Sequence, residues 1–135
     1  MLIDGLHAQT TLAYIFQILE YESVTKRLSE TEFWVLVSLA GGRRHGYAVL
    51  SEVEQLSQGL VRIRMATLYA ALEQLASREL IEPAGEEEVL GRTRRYYRLT
   101  SGGRTKLSAA AAQRAAAAKT AETRLRTSAR PAVTI

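Results

Sequence analysis

The sequence contains no cysteine, only two histidines and no long hydrophobic run. Without cysteine the chain forms no disulfide and offers no thiolate for catalysis or for metal binding. The longest apolar stretch near the start, Leu12 to Leu19, is far shorter than the roughly 20 residues of a membrane helix. The basic segment and the small-residue cleavage site of a signal peptide are also missing. We therefore expect a cytoplasmic protein that does not enter a membrane.

The sequence patterns of common enzyme classes are missing as well. There is no glycine-rich phosphate loop, no Ser-His-Asp set at a plausible spacing and no paired metal ligands. The two histidines are His7 and His45, and no carboxylate cluster accompanies them. Read in isolation, His45 resembles a metal ligand or a catalytic base, but a structural role between a loop and a helix is favoured. We expect no enzyme activity, no cofactor and no metal.

Length and charge define the broad class of the protein. A chain of 135 residues corresponds to one domain, and a hydrophobic content of 47% is enough for one modest core. Eighteen lysines and arginines against fourteen aspartates and glutamates give a net charge of +4. This excess favours a polyanionic partner without establishing one.

Three helices are predicted in the first half of the chain after residue 28. Ser29 and Glu32, three residues later, form the pattern of a capping box, and an apolar run from Phe33 to Leu39 follows. Helical spacing of valines and leucines predicts a second helix from Gly46 and a third over about Met65 to Ser77. The first helix has almost no polar face, so it needs cover on more than one side, which a dimer partner is one way to provide.

A hairpin and a long helix are predicted to follow. The segments Leu80 to Glu88 and Thr93 to Leu99 have strand character and are joined around Gly91. An alanine-rich stretch from Arg104 to about Arg126 has high helix propensity throughout. Beyond it, Pro131 lies in a basic tail.

This order of elements predicts the fold class. A unit of three helices followed by a two-stranded ribbon is the winged helix-turn-helix arrangement, so we expect a mainly α fold with a small β-hairpin. We assign residues 29–100 to the winged domain, 101–127 to a C-terminal dimerisation helix and 128–135 to a tail. Residues 1–28 form an N-terminal extension with four apolar residues on one helical face: Leu12, Ile15, Phe16 and Leu19. Two interpretations of it stay open, a docking helix that extends a dimer interface or an addition that the domain does not need.

The third helix has the features of a recognition helix. Such a helix lies in a major groove about 12 Å wide, so its outward face needs small or hydrogen-bonding side chains. Thr67 and Gln74 lie on such a face, away from the apolar stripe of the helix. Arg62 and Arg64 precede the helix, where cations reach phosphates beside free amide donors. The alternative is an ordinary amphipathic helix with solvated polar residues.

The hairpin has the composition of a wing that touches nucleic acid. Four arginines and two tyrosines lie within seven positions: Arg92, Arg94, Arg95, Tyr96, Tyr97 and Arg98. We predict phosphate or minor-groove contacts for Arg92 and Arg94, with Arg95 as a further candidate. The alternative is a solvated basic strand balanced by the acidic run Glu86 to Glu88, which we expect to lie away from DNA.

Four sequence segments, in this order and spacing, are typical of one known family. They are the apolar run ending in Leu39, Ala40 and Gly41; the triplet His45, Gly46 and Tyr47; the segment Thr67 to Leu72; and Tyr96 to Thr100 followed by Gly103 and Arg104. Across roughly Ser29 to Leu107 the chain therefore resembles the PadR family of bacterial regulators. The resemblance implies a winged-helix repressor that dimerises by packing its C-terminal helix against the partner's N-terminal region, and that often responds to a small ligand.

The resemblance also assigns roles to single residues. It places Tyr47, Thr67, Tyr69 and the wing arginines near DNA, although Tyr47 and Tyr69 fit the core equally well. It implies an aromatic-lined effector cavity at the dimer centre, on which Trp34 would lie, with core packing as the alternative role of Trp34. The family usually has glycine where this chain has Glu79, so we expect the third helix to end differently here.

These observations predict a homodimeric transcription repressor. We expect it to bind a pseudo-palindromic operator in double-stranded DNA. The resemblance further implies release by a small hydrophobic or aromatic effector. The alternative is a winged-helix protein-interaction module without sequence-specific DNA binding, which would not need so many cations in its wing. Nine residues are predicted at the DNA: Tyr47, Arg62, Arg64, Thr67, Tyr69, Gln74, Arg92, Arg94 and Arg95.

Overall fold

The predicted order of helices and strands is present in the computed structural model, which describes residues 8–17 and 26–129. Residues 8–17 form helix α1. The other elements are α2 (Glu30–Ala40), β1 (Arg44–His45), α3 (Gly46–Leu56), α4 (Met65–Ser77), β2 (Ile81–Val89), β3 (Arg92–Leu99) and α5 (Ser101–Ser128). The predicted fold class, a winged helix-turn-helix with a long C-terminal helix, is confirmed. Leu19 and most of the predicted tail lie outside the described residues.

Helix α2 begins with the predicted capping box. The hydroxyl oxygen of Ser29 accepts a hydrogen bond from the backbone N–H of Glu32 at 3.1 Å. In return, the Glu32 carboxylate accepts one from the backbone N–H of Ser29 at 2.8 Å. The helix ends at Gly41, and Gly42 follows with a φ of +138°. Both ends of this helix are therefore set by residues that the sequence pattern identifies.

A nearly buried ion pair joins the start of α2 to the end of α4. The Nη1 atom of Arg78 lies 3.4 Å from a carboxylate oxygen of Glu32, and the two side chains are only 7% and 9% exposed. The Nη2 atom of Arg78 donates to the carbonyl oxygen of Lys26 at 2.6 Å. Because a charge is tolerated in the interior only when it has partners, this pair fixes α4 against the start of α2.

Helix α4 ends in a left-handed residue that is not glycine. Glu79 has a φ of 58°, and its N–H donates to the carbonyl oxygen of Ala76 at 3.0 Å. The N–H of Leu80 donates to the carbonyl oxygen of Leu75 at 3.0 Å, which completes a Schellman motif. The expectation that Glu79 makes this helix end differently is therefore wrong. The cost of a side chain in this conformation, roughly 1–2 kcal/mol, is offset by two satisfied helix carbonyls and the burial of Leu80.

The hairpin carries a third strand that the sequence analysis did not predict. The sheet has the order β1-β3-β2, with antiparallel neighbours. In β1, Arg44 pairs with Tyr97 and His45 pairs with Tyr96. A strand of two residues has too few positions to show alternation, so the sequence gives no signal for it. Since β1 leads directly into α3, the pairing fixes the start of α3 against the hairpin.

The tip of the hairpin is a two-residue loop. Leu90 and Gly91 have φ values of 53° and 75°, as a type I′ turn requires. Val89 and Arg92 pair across this loop, so Arg92 is the first residue of β3. Arg92 therefore lies at the far end of the wing.

The hydrophobic core lies between α2, α3, α4 and the base of the hairpin. Its buried residues are Val35, Leu36, Leu39, Val49, Val53, Leu68, Leu72, Leu75, Leu80, Ile81 and Leu99. Tyr97 packs against this cluster and is partly buried. Because Tyr97 and Leu99 lie on the inner side of the wing, the alternate residues of β3 lie on its outer side.

Helix α5 begins at Ser101, three residues before the alanine-rich stretch that starts at Arg104. The hydroxyl oxygen of Thr100 accepts a hydrogen bond from the N–H of Gly103 at 2.9 Å, so Thr100 is the N-cap. Gly103 is buried because α5 passes very close to Leu80. A side chain at Gly103 would collide with the carbonyl oxygen of Leu80 and come within 3.0 Å of its carbonyl carbon.

Further along, α5 packs on α2 through one arginine. The guanidinium carbon of Arg114 lies 3.6 Å from the ring centre of Phe33, and a nitrogen of Arg114 donates to Glu30 at 2.5 Å. From residue 111 to residue 129 every residue is exposed, including Leu125 at 68%. The second half of α5 therefore extends away from the winged domain.

Candidate nucleic-acid interface

Helix α4 presents a small and polar surface on the side opposite the core. Its buried side consists of Leu68, Ala71, Leu72 and Leu75. Four exposed residues at helical spacing form the opposite stripe: Ala66, Ala70, Glu73 and Ser77. Thr67 and Gln74 flank this stripe on one side and Tyr69 flanks it on the other, all three exposed. The outward face predicted from the sequence is therefore accessible along its whole length.

The start of α4 is open to an anion. Arg64 is the N-cap, and its side chain makes no capping hydrogen bond, so the N-cap side chain leaves the first amides of the helix without an acceptor. Arg62 and Arg64 are both exposed. Arg62 lies 3.5 Å from Glu54, but this pair is on the surface and contributes little stability. Both arginines are free to reorient toward a phosphate.

Five of the nine predicted residues surround one cleft. The cleft has a volume of about 700 Å³ and lies between the starts of α3 and α4 and the outer part of the hairpin. Tyr47 and Tyr69 are 63% and 56% exposed, so neither belongs to the core. The predicted residues that line the cleft are Tyr47, Tyr69, Arg92, Arg94 and Arg95. Two tyrosines and three arginines therefore border a space that a sugar-phosphate backbone can enter.

Thr67 and Gln74 lie in a different place from these five. Both line a shallow groove between α4 and the start of α2, together with Thr31 and Ala70. The structure thus separates the five residues at the cleft from Thr67 and Gln74, which lie on the far side of the α4 stripe. When such a helix lies in a major groove, residues on opposite sides of its outward stripe face opposite edges of the groove.

The acidic run of the wing pairs directly with the arginine strand. Glu87 lies opposite Arg94 and Glu86 opposite Arg95, with 3.5 Å between the charged groups of Glu86 and Arg95. Arg92 is different, because its partner across the strands is Val89. The run Glu86 to Glu88, expected to lie away from DNA, is therefore on the same hairpin as the arginines and offsets part of their charge.

The positive charge of the chain is concentrated outside the winged domain. Residues 29–100 contain nine arginines, no lysine and ten glutamates, which gives a net charge of −1. Residues 101–135 contain seven lysines and arginines and one glutamate, which gives +6. The overall charge of +4 is therefore no measure of the charge at this surface. Attraction to phosphates there depends on the placement of individual arginines.

Two further properties concern the described residues only. Within residues 8–17 and 26–129, no group of three His, Asp or Glu side chains is close enough to hold a metal ion. No helix in these two ranges is long and apolar enough to cross a membrane.

Comparison with known families identifies the chain. The family model described as "Transcriptional regulator PadR-like family" matches residues 35–109, more than half of the sequence. The chain belongs to the PadR-like family. The resemblance that the four sequence segments predict is thus confirmed, and the match covers the winged domain from α2 to the first turns of α5.

Individual relatives of this PadR-like protein agree with that assignment. It is 37% identical to an uncharacterized protein X of Lysinibacillus sphaericus over 65 residues, which are 48% of this chain and 60% of that protein. A PadR family transcription regulator of hypervirulent Clostridium difficile R20291 has a TM-score of 0.60 and 21% identity, over 72% of this chain and 99% of that one. Bacillus subtilis PadR in complex with operator DNA has a TM-score of 0.53 and 19% identity, over 58% and 45% of the two chains. At such identities the two structures establish the fold alone.

His45 of this PadR-like protein has the structural role that the sequence favours. It is the N-cap of α3, and its Nδ1 atom accepts a hydrogen bond from the N–H of Ala48 at 3.4 Å. Its ring meets the ring of Tyr96 edge-on, with 5.4 Å between ring centres. Burial of the imidazole, and to a smaller extent the charge of Arg94, hold the pKa of His45 below its ordinary value of 6.5.

Acidification is expected to destabilise the protein through His45. Because the folded-state pKa lies below the ordinary 6.5, the unfolded chain binds the proton more readily. Stability is therefore complete above about pH 6.5 and falls as the pH decreases below it. Urea unfolding between about pH 7.5 and about pH 5 measures the change, since carboxylates titrate below this window. In His45→Asn, which keeps a neutral capping acceptor, the decrease should be smaller, and an unchanged decrease would contradict the assignment.

The nine predicted residues include neither Glu73, which lies on the outward face of α4, nor Arg43, which contacts the hairpin. The guanidinium carbon of Arg43 is 4.3 Å from the ring centre of Tyr96, and its Nη1 donates to the carbonyl oxygen of Ala84 at 2.9 Å. Arg43 lies in a loop without periodicity, so no sequence signal points to it. Glu73 does have such a signal, because it lies three and seven residues after Ala70 and Ala66 on the outward stripe.

The predicted effector residue, Trp34, does not line the cleft. Its Nε1 donates to the carboxylate of Glu30 at 2.9 Å, and its ring meets Phe33 edge-on at 5.5 Å. A nearby groove of about 590 Å³ between α2 and α5 is lined by Phe33 and Arg114. Trp34 packs partly against the core, so an effector role for it stays a prediction.

Proposed function

We propose that this PadR-like protein is a DNA-binding transcription repressor that acts as a homodimer on a pseudo-palindromic operator. One observation carries the proposal: Tyr69, which flanks the outward face of α4, and the arginines of the wing line the same cleft. The face has the small and polar residues that a major groove requires, and the cleft has the cations and hydroxyls that phosphates require.

The expected docking places α4 in the major groove and the wing on the adjacent backbone. The exposed N-terminus of α4, with Arg62 and Arg64 before it, meets one phosphate strand. Arg92, at the tip of the wing, reaches the other. A structural relative, Bacillus subtilis PadR, is known in complex with operator DNA. This supports the same use of the fold here.

Two exposed apolar regions support a dimer. In α1, Leu12 and Phe16 are 63% and 74% exposed and lie one helical turn apart, and Leu125 on α5 is 68% exposed. In a dimer these surfaces are covered if residues 1–28 of one protomer pack against the helix of residues 101–127 of the other. The charges agree, because the first segment has a net charge of −1 and residues 101–135 have +6. The two-fold symmetry of such a dimer predicts the two-fold symmetry of the operator.

Release by a small effector is the regulatory part of the proposal. A hydrophobic or aromatic molecule at the dimer centre near Trp34 changes DNA binding only if it binds better to one relative arrangement of the two recognition helices.

The proposal is tested by DNA binding at two salt concentrations. The purified protein is titrated into a duplex from the region upstream of its own gene and into a random duplex of equal length. Tight binding to the upstream duplex alone supports the repressor. Weak binding that is equal on both duplexes contradicts it at this locus.

A protein-interaction module is the second candidate, and the charge of the wing favours it. Three of the four arginines of β3 face glutamates of β2, and Arg98 lies 2.8 Å from its partner Glu82, so this hairpin is nearly neutral. A neutral hairpin suits a protein surface better than a polyanion. The titration above separates the candidates, because a protein-interaction module shows no preference for any duplex.

Thr67 is expected to control which sequence is preferred. It lies on the edge of the α4 stripe, where a methyl and a hydroxyl group reach base edges. In Thr67→Ala, the discrimination at one base pair, about 1–3 kcal/mol for a typical mismatch, should decrease or shift. Competition binding against single-base variants of the operator measures it. Thr105→Ala, at an exposed position of α5, is the matched control, and an equal loss on every sequence would count against Thr67 as a readout residue.

A further inference from the structure

Glu73 occupies the middle of the surface that α4 presents outward. Together with Ala66, Ala70 and Ser77 it forms the stripe opposite the buried leucines of this helix. The other three residues of the stripe are small, so Glu73 has the longest side chain on it. A helix that approaches a groove with this stripe forward therefore brings the Glu73 carboxylate to the base edges first.

This carboxylate has no cation beside it. The residues three and four positions away along the helix are Tyr69, Ala70, Ala76 and Ser77, none of which is basic. Among the ion pairs of the described residues, none includes Glu73. Two other glutamates near this surface do have such a partner, since Glu54 pairs with Arg62 and Glu86 with Arg95. An unpaired negative charge at the centre of a surface for a polyanion needs a hydrogen-bond donor from that partner.

The chemistry of the major groove restricts that donor to one base. A carboxylate only accepts hydrogen bonds, and phosphates offer none. Cytosine presents the N4 amino group, whereas adenine presents the N6 amino group beside the N7 acceptor, which repels a carboxylate. Guanine presents acceptors alone, and thymine presents an acceptor and a methyl group. Only cytosine gives Glu73 a donor without an adjacent acceptor on the same base.

We propose that Glu73 reads a cytosine in the major groove and so determines one base pair of each operator half-site. This inference rests on the proposed function and deepens it. The preference for cytosine arises mainly from the cost of binding the other bases, because each of them leaves the desolvated carboxylate of Glu73 without a partner. The alanines at positions 66 and 70 assist, since they let α4 lie deep enough for the side chain of Glu73 to reach the base.

The test compares the sequences that three proteins select from a randomised duplex library. They are the wild type, Glu73→Gln and Glu122→Gln, the last of which removes the same charge from an exposed position of α5. We expect the wild type to select cytosine at one position per half-site, by about tenfold over other bases. Glutamine pairs with the N6 and N7 atoms of adenine, so Glu73→Gln should select adenine at that position. Glu122→Gln should select the same sequence as the wild type.

Three results would overturn the inference, and they are distinguishable. If wild type and Glu73→Gln select the same sequence, Glu73 reads no base, while the proposed function stands. If Glu73→Gln binds every duplex more tightly without a changed preference, Glu73 only repels phosphates. If the wild type selects no sequence at all, both the inference and the proposed function are wrong. Kd values for selected duplexes that differ at this one position then give the size of the effect.

Discussion

Replacing Gly103 with alanine will lower the free energy of unfolding by about 3 kcal/mol, the upper end for overpacked sites. A Cβ atom at this position collides with the carbonyl oxygen of Leu80. The atom it meets is backbone, and that backbone is held on both sides: the N–H of Leu80 is bonded within the α4 cap, and its carbonyl accepts the N–H of Thr100 at 3.1 Å. Either α5 moves away from the core, or the cap of α4 opens.

Gly102 is the matched control for this substitution. The nearest atoms to a Cβ at Gly102 are the hydroxyl oxygen of Thr100 at 3.6 Å and the carbonyl oxygen of Glu79 at 3.7 Å, which are ordinary contacts. Because Gly102 lies in a helix, alanine should raise stability by roughly 0.5–1 kcal/mol. Urea unfolding followed by far-ultraviolet circular dichroism measures both variants. Two adjacent glycines in one helix should therefore respond with opposite signs, and a similar response would show that α5 does not depend on close approach to Leu80.

Local sequence patterns predicted the helices of the winged domain well. The capping box at Ser29 and the helix Met65–Ser77 are where the sequence places them, because caps and apolar spacing act within one or two turns. The hairpin strands begin and end within about one residue of the prediction, since Gly91 permits the turn that joins them.

Features that depend on contacts between distant segments were not predictable in this way. Strand β1 exists only because Arg44 and His45 meet Tyr97 and Tyr96 about fifty residues later. The left-handed conformation of Glu79 likewise depends on the burial of Leu80 against the core, which outweighs a local preference. In each case tertiary contacts override the local signal.

The candidate site was predictable in its composition but not in its geometry. The sequence identifies Tyr47 and Tyr69 as candidates for the core and for DNA alike, and their exposure excludes the core. It does not indicate that Thr67 lies apart from the cleft, or that Glu86 lies beside Arg95. The strand register decides which arginine has no glutamate opposite it, and the register depends on the turn and on the bulge near Gly85.

Replacing both Arg92 and Arg94 with alanine is expected to weaken binding to every DNA sequence and to flatten its salt dependence. Arg92 faces Val89 across the strands, and the carboxylate opposite Arg94, that of Glu87, accepts the hydroxyl of Tyr96 at 2.6 Å. Each lost phosphate contact reduces the slope of log K against log salt by about 0.9 and, at about 0.1 M salt, reduces affinity by roughly eightfold. Two contacts then amount to a loss of about sixtyfold for each protomer.

Titrations of one duplex at several salt concentrations measure this slope and also report on the dimer. A change of about two units corresponds to one bound protomer, and a change near four corresponds to two. Arg98→Ala is the control, because Arg98 lies on the same strand but forms a 2.8 Å ion pair with Glu82. Its removal should leave the slope unchanged. If the double variant binds with the wild-type slope, the wing makes no phosphate contacts, and the nearly neutral hairpin is better explained as a protein-binding surface.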